Sequence, residues 1–189
     1  VDGPRRVGSW DLSAQLGAGG MGTVYLGSDG VQLAAVKAIA PGIADDPSFR
    51  SRFKREVEVC RRVKGPQVAE LVDAGPDDLQ PWLAIRYVPG PTLREAITNH
   101  GPLVGATLRG FALAVAEALR QIHLCGVVHR DLKPSNIILT PATPVIIDFG
   151  IAAVSEGTSL TATGTALGSA GWMAPEQVLG RPSGTPADV

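Results

Sequence analysis

The chain has 189 residues, 44% of them hydrophobic, and a formal net charge of −1 at neutral pH. That length suits one ordinary domain or two small lobes around a sizeable core, and the near-zero charge argues against a nucleic-acid binder, which carries a basic face. No apolar run is long enough to span a bilayer, nothing resembles a signal peptide, and Cys60 and Cys125 sit in apolar helical patterns, as buried reduced thiols of a cytoplasmic protein would.

In chain order, the first half is strand-rich. Segments 10–16 and 23–27 flank a glycine cluster, Ser28-Asp29-Gly30 is a turn, and 33–39 is a third apolar run. Asp46 and Pro47 open a helix, as cap and first-turn residue, that is expected to reach about Lys64 before Gly65-Pro66. Its basic stretch is broken by Glu56 and Glu58 and reads as a solvated face. Strand candidates 68–74 and 82–88 follow, joined at Pro76-Asp77-Asp78. Pro89-Gly90-Pro91 marks a boundary between 1–88 and 89–189. Beyond it come a short helix at 92–99 and a long one whose apolar residues run from Leu108 to Ile122 at helical spacing. A loop then leads to a hairpin of 137–139 with 145–147, and a Thr/Ser/Gly/Ala-rich stretch reads as a mobile loop to about Gly171. Trp82 and Trp172 read as packing residues, His123 as structural and His100 as a surface residue.

Four pieces carry chemistry. Gly17, Gly19, Gly20 and Gly22 lie between two strands, where backbone amides can approach phosphates unhindered by Cβ atoms; alone, the cluster is equally a glycine-rich hairpin. Lys37 ends Ala34-Ala35-Val36-Lys37 on a strand and is a candidate phosphate contact that needs an anion to hold it. At roughly 100° per residue, Glu56 falls on the apolar stripe of Phe49, Phe53, Cys60 and Val63, whereas Glu58 points away. A carboxylate on a buried stripe needs a partner, and Lys37 is the natural one. In Val128-His129-Arg130-Asp131-Leu132-Lys133-Pro134-Ser135-Asn136, Asp131 can accept a hydroxyl proton, Lys133 can neutralise a moving phosphate, and Asn136 offers a neutral oxygen to Mg²⁺. Asp148-Phe149-Gly150 follows a strand, which puts a carboxylate at a strand end where it can hold a metal.

Together, in this order, these pieces resemble the protein-kinase signature set, and Met173-Ala174-Pro175-Glu176 resembles the motif that closes the activation segment. The lysine in the Asp131 to Asn136 string resembles Ser/Thr kinases, and the flanking text looks most like receptor-type kinases of actinobacteria. The resemblance implies an α+β, two-lobed fold, a small antiparallel sheet lobe on a mainly helical one, with its last helices missing. It implies transfer of the ATP γ-phosphoryl group, with Mg²⁺ held by Asn136 and Asp148, to Ser or Thr of a protein substrate, with a homodimer possible for trans-autophosphorylation. Leu16, Val24, Ala35 and Ile138 would sandwich adenine, with Ile85 as gatekeeper and Arg86, Tyr87 and Val88 as a hinge read through its backbone. Arg86 departs from the usual acidic residue. Thr161, Thr163 and Thr165 match positions that are phosphorylated in relatives, and Arg130 is the cation to receive such a phosphate. Gly168-Ser169 resembles the segment that receives the substrate residue. The resemblance also makes Asp188 the acceptor of the His129 and Arg130 backbone, and suggests that residues 1–189 alone are poorly soluble and nearly inactive. A nucleotide-binding pseudokinase and a small-molecule phosphotransferase are the other readings. Intact Lys37, Glu56, Asp131, Asn136 and Asp148 argue against the first, and the Ala-Pro-Glu closure against the second.

Overall fold

The computed structural model describes residues 5–148 and 170–189. Alternating apolar residues build its first half as strands β1 (Arg6–Val7), β2 (Trp10–Gly19), β3 (Gly22–Ser28), β4 (Leu33–Ile39), β5 (Leu71–Gly75) and β6 (Trp82–Arg86). They form one antiparallel sheet in the order β1-β2-β3-β4-β6-β5. Paired residues share a face. The register Val24↔Lys37↔Leu83 and Leu26↔Ala35↔Ile85 therefore puts the cleft candidates on one face. Tyr25, Val36 and Ala84 point the other way, into a cluster with Trp10 and Trp82.

Helix α1 (Pro41–Ala44) is a single turn, and α2 (Pro47–Cys60) is the helix the sequence predicts. The Asp46 carboxylate caps α2 by accepting from the Ser48 N–H at 2.8 Å. Phe49, Phe53, Val57 and Cys60 bury one face, with the two phenyl rings stacked at 5.7 Å between centroids. The other side is fastened to the β5–β6 turn. Arg50 donates to the carbonyls of Ala44, Asp78 and Leu79 at 2.6–2.8 Å, and Lys54 pairs with Asp77 at 2.7 Å.

The second half holds α3 (Leu93–His100), α4 (Gly105–Leu124), strands β7 (Ile137–Leu139) and β8 (Pro144–Ile146), and the short α5 (Pro175–Val178). Thr92 and Glu95 close a capping box at the start of α3. One buried cluster joins Phe53, Val57 and Ile85 of the first half to Ala118, Leu119 and Ile122 of α4 and to Ile146. Backbone bonds stitch the halves: Ala69 N–H donates to the Ile146 carbonyl at 2.9 Å, and Leu139 N–H to that of Pro91 at 2.9 Å. At Gly90, φ is +147°, and a Cβ would overlap the Leu139 carbonyl oxygen, so only glycine passes β7 here.

Several expectations need correction. Helix α2 ends at Cys60, because bonds from Arg62 to Val59 and from Val63 to Cys60 tighten the chain into turns before Lys64. Val68 leaves the sheet to bridge Ile146 of β8, so β5 begins only at Leu71. Val88 lies beyond the end of β6, and Ile147 beyond β8. Trp172 is 53% exposed rather than packed, and Cys125 is half-buried while Cys60 is buried. Burial and the nearby Glu56 push the Cys60 thiol up to about 12, so it stays protonated.

Candidate active site

The sheet supplies one wall. Val24, Ala35, Lys37 and Ile85 share its inner face by register. Leu16 falls at the irregularity of β2 between Gln15 and Gly17, and is 45% exposed. Arg86 pairs with Ala34, so its side chain lies on the face away from Ile85, which explains why a cation is tolerated there. Tyr87 N–H donates to the Leu33 carbonyl at 3.1 Å, fixing the start of the connection to the second half. Ile138 lies on β7 and bridges Thr92, just past that connection.

The glycines divide into two kinds. Gly22 has φ +144°, and a Cβ there would overlap the Ala38 carbonyl, so the fold itself demands it. At Gly17, Gly19 and Gly20 a Cβ would meet no atom of the described residues within 4 Å. The fold leaves open space beside these three backbones, as a phosphate cradle requires.

The loop from Val128 to Asn136 carries further candidates. Lys133 Nζ lies 2.8 and 2.6 Å from the two carboxylate oxygens of Asp131. Asn136 is buried, and its Nδ2 donates to the Asp131 carbonyl at 2.8 Å and to its Oδ2 at 3.1 Å. Both amide hydrogens are thus spent, which fixes the flip and leaves Oδ1 as an acceptor. Ile147 N–H donates to the Asn136 carbonyl at 3.0 Å, which sets its neighbour Asp148 beside this group. Oxygen donors of this kind suit a hard divalent cation, so Asn136 and Asp148 fit Mg²⁺.

Arg130 (φ +64°) and Asp148 (φ +59°) are the non-glycine residues in the left-handed region among the described residues. Such strain persists only where surrounding bonds fix it. At Arg130 they do. The buried Asp188 carboxylate accepts from the N–H groups of His129 (2.8 Å) and Arg130 (2.7 Å), as the resemblance implies, and also from His123 Nε2 at 2.8 Å. His129 is fully buried; its Nε2 donates to the Ile147 carbonyl at 3.0 Å and its Nδ1 accepts from the Asp131 N–H at 3.3 Å. Those bonds select the neutral imidazole, and desolvation holds its pKa below the ordinary value, outweighing the opposing Asp188 charge.

The structure therefore brings Asp131, Lys133 and Asn136 into one bonded group, with Asp148 beside it. It does not close the expected pair: Lys37 and Glu56 are both half-buried, on β4 and α2, but no ion pair within 4.0 Å joins them among the described residues. Phe149, Gly150, Thr161, Thr163, Thr165, Gly168 and Ser169 lie outside the described residues. The sequence reading gave His129 no role of its own and passed over Gln177, which donates to the Arg130 carbonyl at 2.7 Å. Its signal was its place directly after the Ala174-Pro175-Glu176 motif.

The protein kinase domain family matches residues 10–189. The chain belongs to the protein kinase family. It is 46% identical over 187 residues to the probable serine/threonine-protein kinase PkwA of Thermomonospora curvata, covering 98% of this chain and 25% of that protein. It is 47% identical over 175 residues to the serine/threonine-protein kinase AfsK of Streptomyces coelicolor, covering 92% of this chain and 22% of that protein. The chain thus spans about a quarter of the length of these relatives. The crystal structure of the Mycobacterium tuberculosis PknI kinase domain superimposes with a TM-score of 0.72 at 32% identity, covering 95% of this chain and 69% of that one. No helix among the described residues of this kinase chain is long and apolar enough to cross a membrane.

Proposed function

We propose that the protein transfers the ATP γ-phosphoryl group to Ser or Thr hydroxyls of protein substrates. The observation that carries this reading is the bonded group of Asp131, Lys133 and Asn136, and the open backbones at Gly17, Gly19 and Gly20 support it. Asp131 accepts the hydroxyl proton. Lys133 fixes its carboxylate and supplies positive charge where the phosphoryl group moves. The backbones of Gly17, Gly19 and Gly20 approach the phosphates, and Lys37 contacts them. Leu16, Val24, Ala35 and Ile138 enclose adenine beneath Ile85, and the backbone of Arg86 to Val88 reads its edge. Asn136 and Asp148 would hold Mg²⁺, which would supply positive charge against the phosphates. Asp188 and His129 keep the loop in place, so that most of the catalysis is positioning and charge stabilisation.

Thr161, Thr163 and Thr165 are the proposed regulatory phosphosites, acquired in trans within a homodimer, with the protein working in the cytoplasm. The test is incubation of the intact protein with labelled ATP, Mg²⁺ and a mixed protein substrate, followed by phosphoamino-acid analysis. Label in phosphoserine and phosphothreonine, lost on chelation of the metal, supports the reading. Label confined to phosphotyrosine, or none with nucleotide bound, overturns it.

A further inference from the structure

Gln177 sits in the first turn of α5, and both ends of its carboxamide are used. Its Oε1 accepts from the Ala174 N–H at 3.0 Å, which caps α5. Its Nε2 donates to the Arg130 carbonyl at 2.7 Å, 47 residues away in sequence. That carbonyl belongs to the peptide unit joining Arg130 to Asp131. The N–H of the same unit is Asp131's own, and it donates to His129 Nδ1 at 3.3 Å. The unit that leads into Asp131 is thus held at both of its polar atoms, one by the catalytic loop itself and one by α5. The unit before it is held as well, since Arg130 N–H donates to Asp188 at 2.7 Å. Between the two lies Arg130 at φ +64°. An L-residue in that region gives up about 1–2 kcal/mol, so its neighbours' bonds must hold it there.

We propose that Gln177 is a positioning residue for phosphoryl transfer: its carboxamide links the first turn of α5 to the peptide unit that aims the Asp131 carboxylate. The proposal rests on Asp131 being the residue that takes the hydroxyl proton. Gln177 touches neither substrate nor nucleotide; it acts through the Arg130 carbonyl. A carboxamide suits the task because it donates to that carbonyl while accepting from Ala174. A carboxylate would keep the cap and turn a lone pair toward the carbonyl, and a thioether of similar length would do neither.

The experiment compares Gln177→Glu and Gln177→Met with the wild type in the intact protein, reading kcat, the KM for ATP, thermal stability and the pH profile. A bond of this kind is worth up to about tenfold in rate. Both variants are therefore expected to lose up to about tenfold in kcat near neutral pH, with the KM for ATP close to wild type and the melting temperature lowered by no more than about 3–6 °C. Normalised to wild type at each pH, Gln177→Glu is expected to recover as pH falls through the carboxylic-acid range, because its protonated carboxyl donates again. Gln177→Met is expected to show no recovery. Wild-type kcat in both variants, or equal losses that track melting temperature with identical pH profiles, would overturn the positioning role. Asp131→Asn run alongside separates the two claims. Turnover that survives it overturns the base assignment, whereas lost turnover with normal Gln177 variants overturns only the role of Gln177.

Discussion

Removing the Asp188 carboxylate should loosen the catalytic loop before it disturbs the nucleotide wall. In Asp188→Ala, the N–H groups of His129 and Arg130 lose their acceptor, as does His123 Nε2. The His123 side chain is 19% exposed and can turn to water, so the two backbone donors dominate the cost. Each buried donor left without a partner costs about 1–3 kcal/mol, and relief of the desolvated charge offsets part of the sum. A net loss of about 3 kcal/mol is expected, which for a domain of this size lowers the melting temperature by about 6–12 °C. Asp188→Asn keeps one acceptor oxygen but turns an NH₂ toward a donor, and should lose about half as much. Calorimetry of the intact protein, following the kinase-domain transition, measures both. Melting within about 2 °C of wild type in both variants would refute the reasoning.

The glycine loop makes a paired prediction. Gly22→Ala forces a Cβ onto the Ala38 carbonyl and should destabilise the fold, whereas Gly19→Ala finds open space and should leave stability unchanged while weakening ATP binding. Thermal melts beside nucleotide titrations test this; equal melting temperatures for the two variants would contradict it. His129 predicts a pH dependence. Its folded pKa lies below the ordinary 6.5. As pH falls below about 6.5 the unfolded chain takes up a proton that the folded chain refuses, so stability drops from about pH 6.5 down to the folded pKa and is flat above about 6.5. Melting curves across this range should show a smaller acid loss in His129→Gln than in wild type, and equal slopes would count against burial as the cause.

What the sequence disclosed depended on whether the cause was local. The alternation of Leu33 to Ile39 and the stripe of Phe49, Phe53 and Cys60 are one-dimensional signals, and both elements form with the expected faces. Glu56 indeed falls on the half-buried side of α2, and Glu58 is exposed. Partnerships across the chain were less legible. Val68 has a strand-like side chain, but Ile146 captures it, because tertiary pairing outweighs local propensity. Trp172 looks like a core residue by type alone, yet nothing local says which elements would cover it. His123 shows as a helical polar residue, and only the return of the chain at Asp188 gives it a partner. The closeness of Asp131, Lys133 and Asn136 was readable because one short loop carries all three. The distance between Lys37 and Glu56 was not, because it depends on how α2 sits against the sheet, and α2 is held there by Arg50 and Lys54 through the β5–β6 turn.

The central claim is that Asp131 takes the proton of the attacking hydroxyl. Asparagine at this position keeps the size and much of the bonding but cannot accept a proton, and a general base is typically worth about 10²- to 10⁴-fold. Measuring γ-phosphoryl transfer beside ATP-analogue affinity in Asp131→Asn of the intact protein tests the claim directly. The account predicts transfer reduced by about 100-fold or more with nucleotide affinity largely unchanged. Turnover near that of wild type would contradict it.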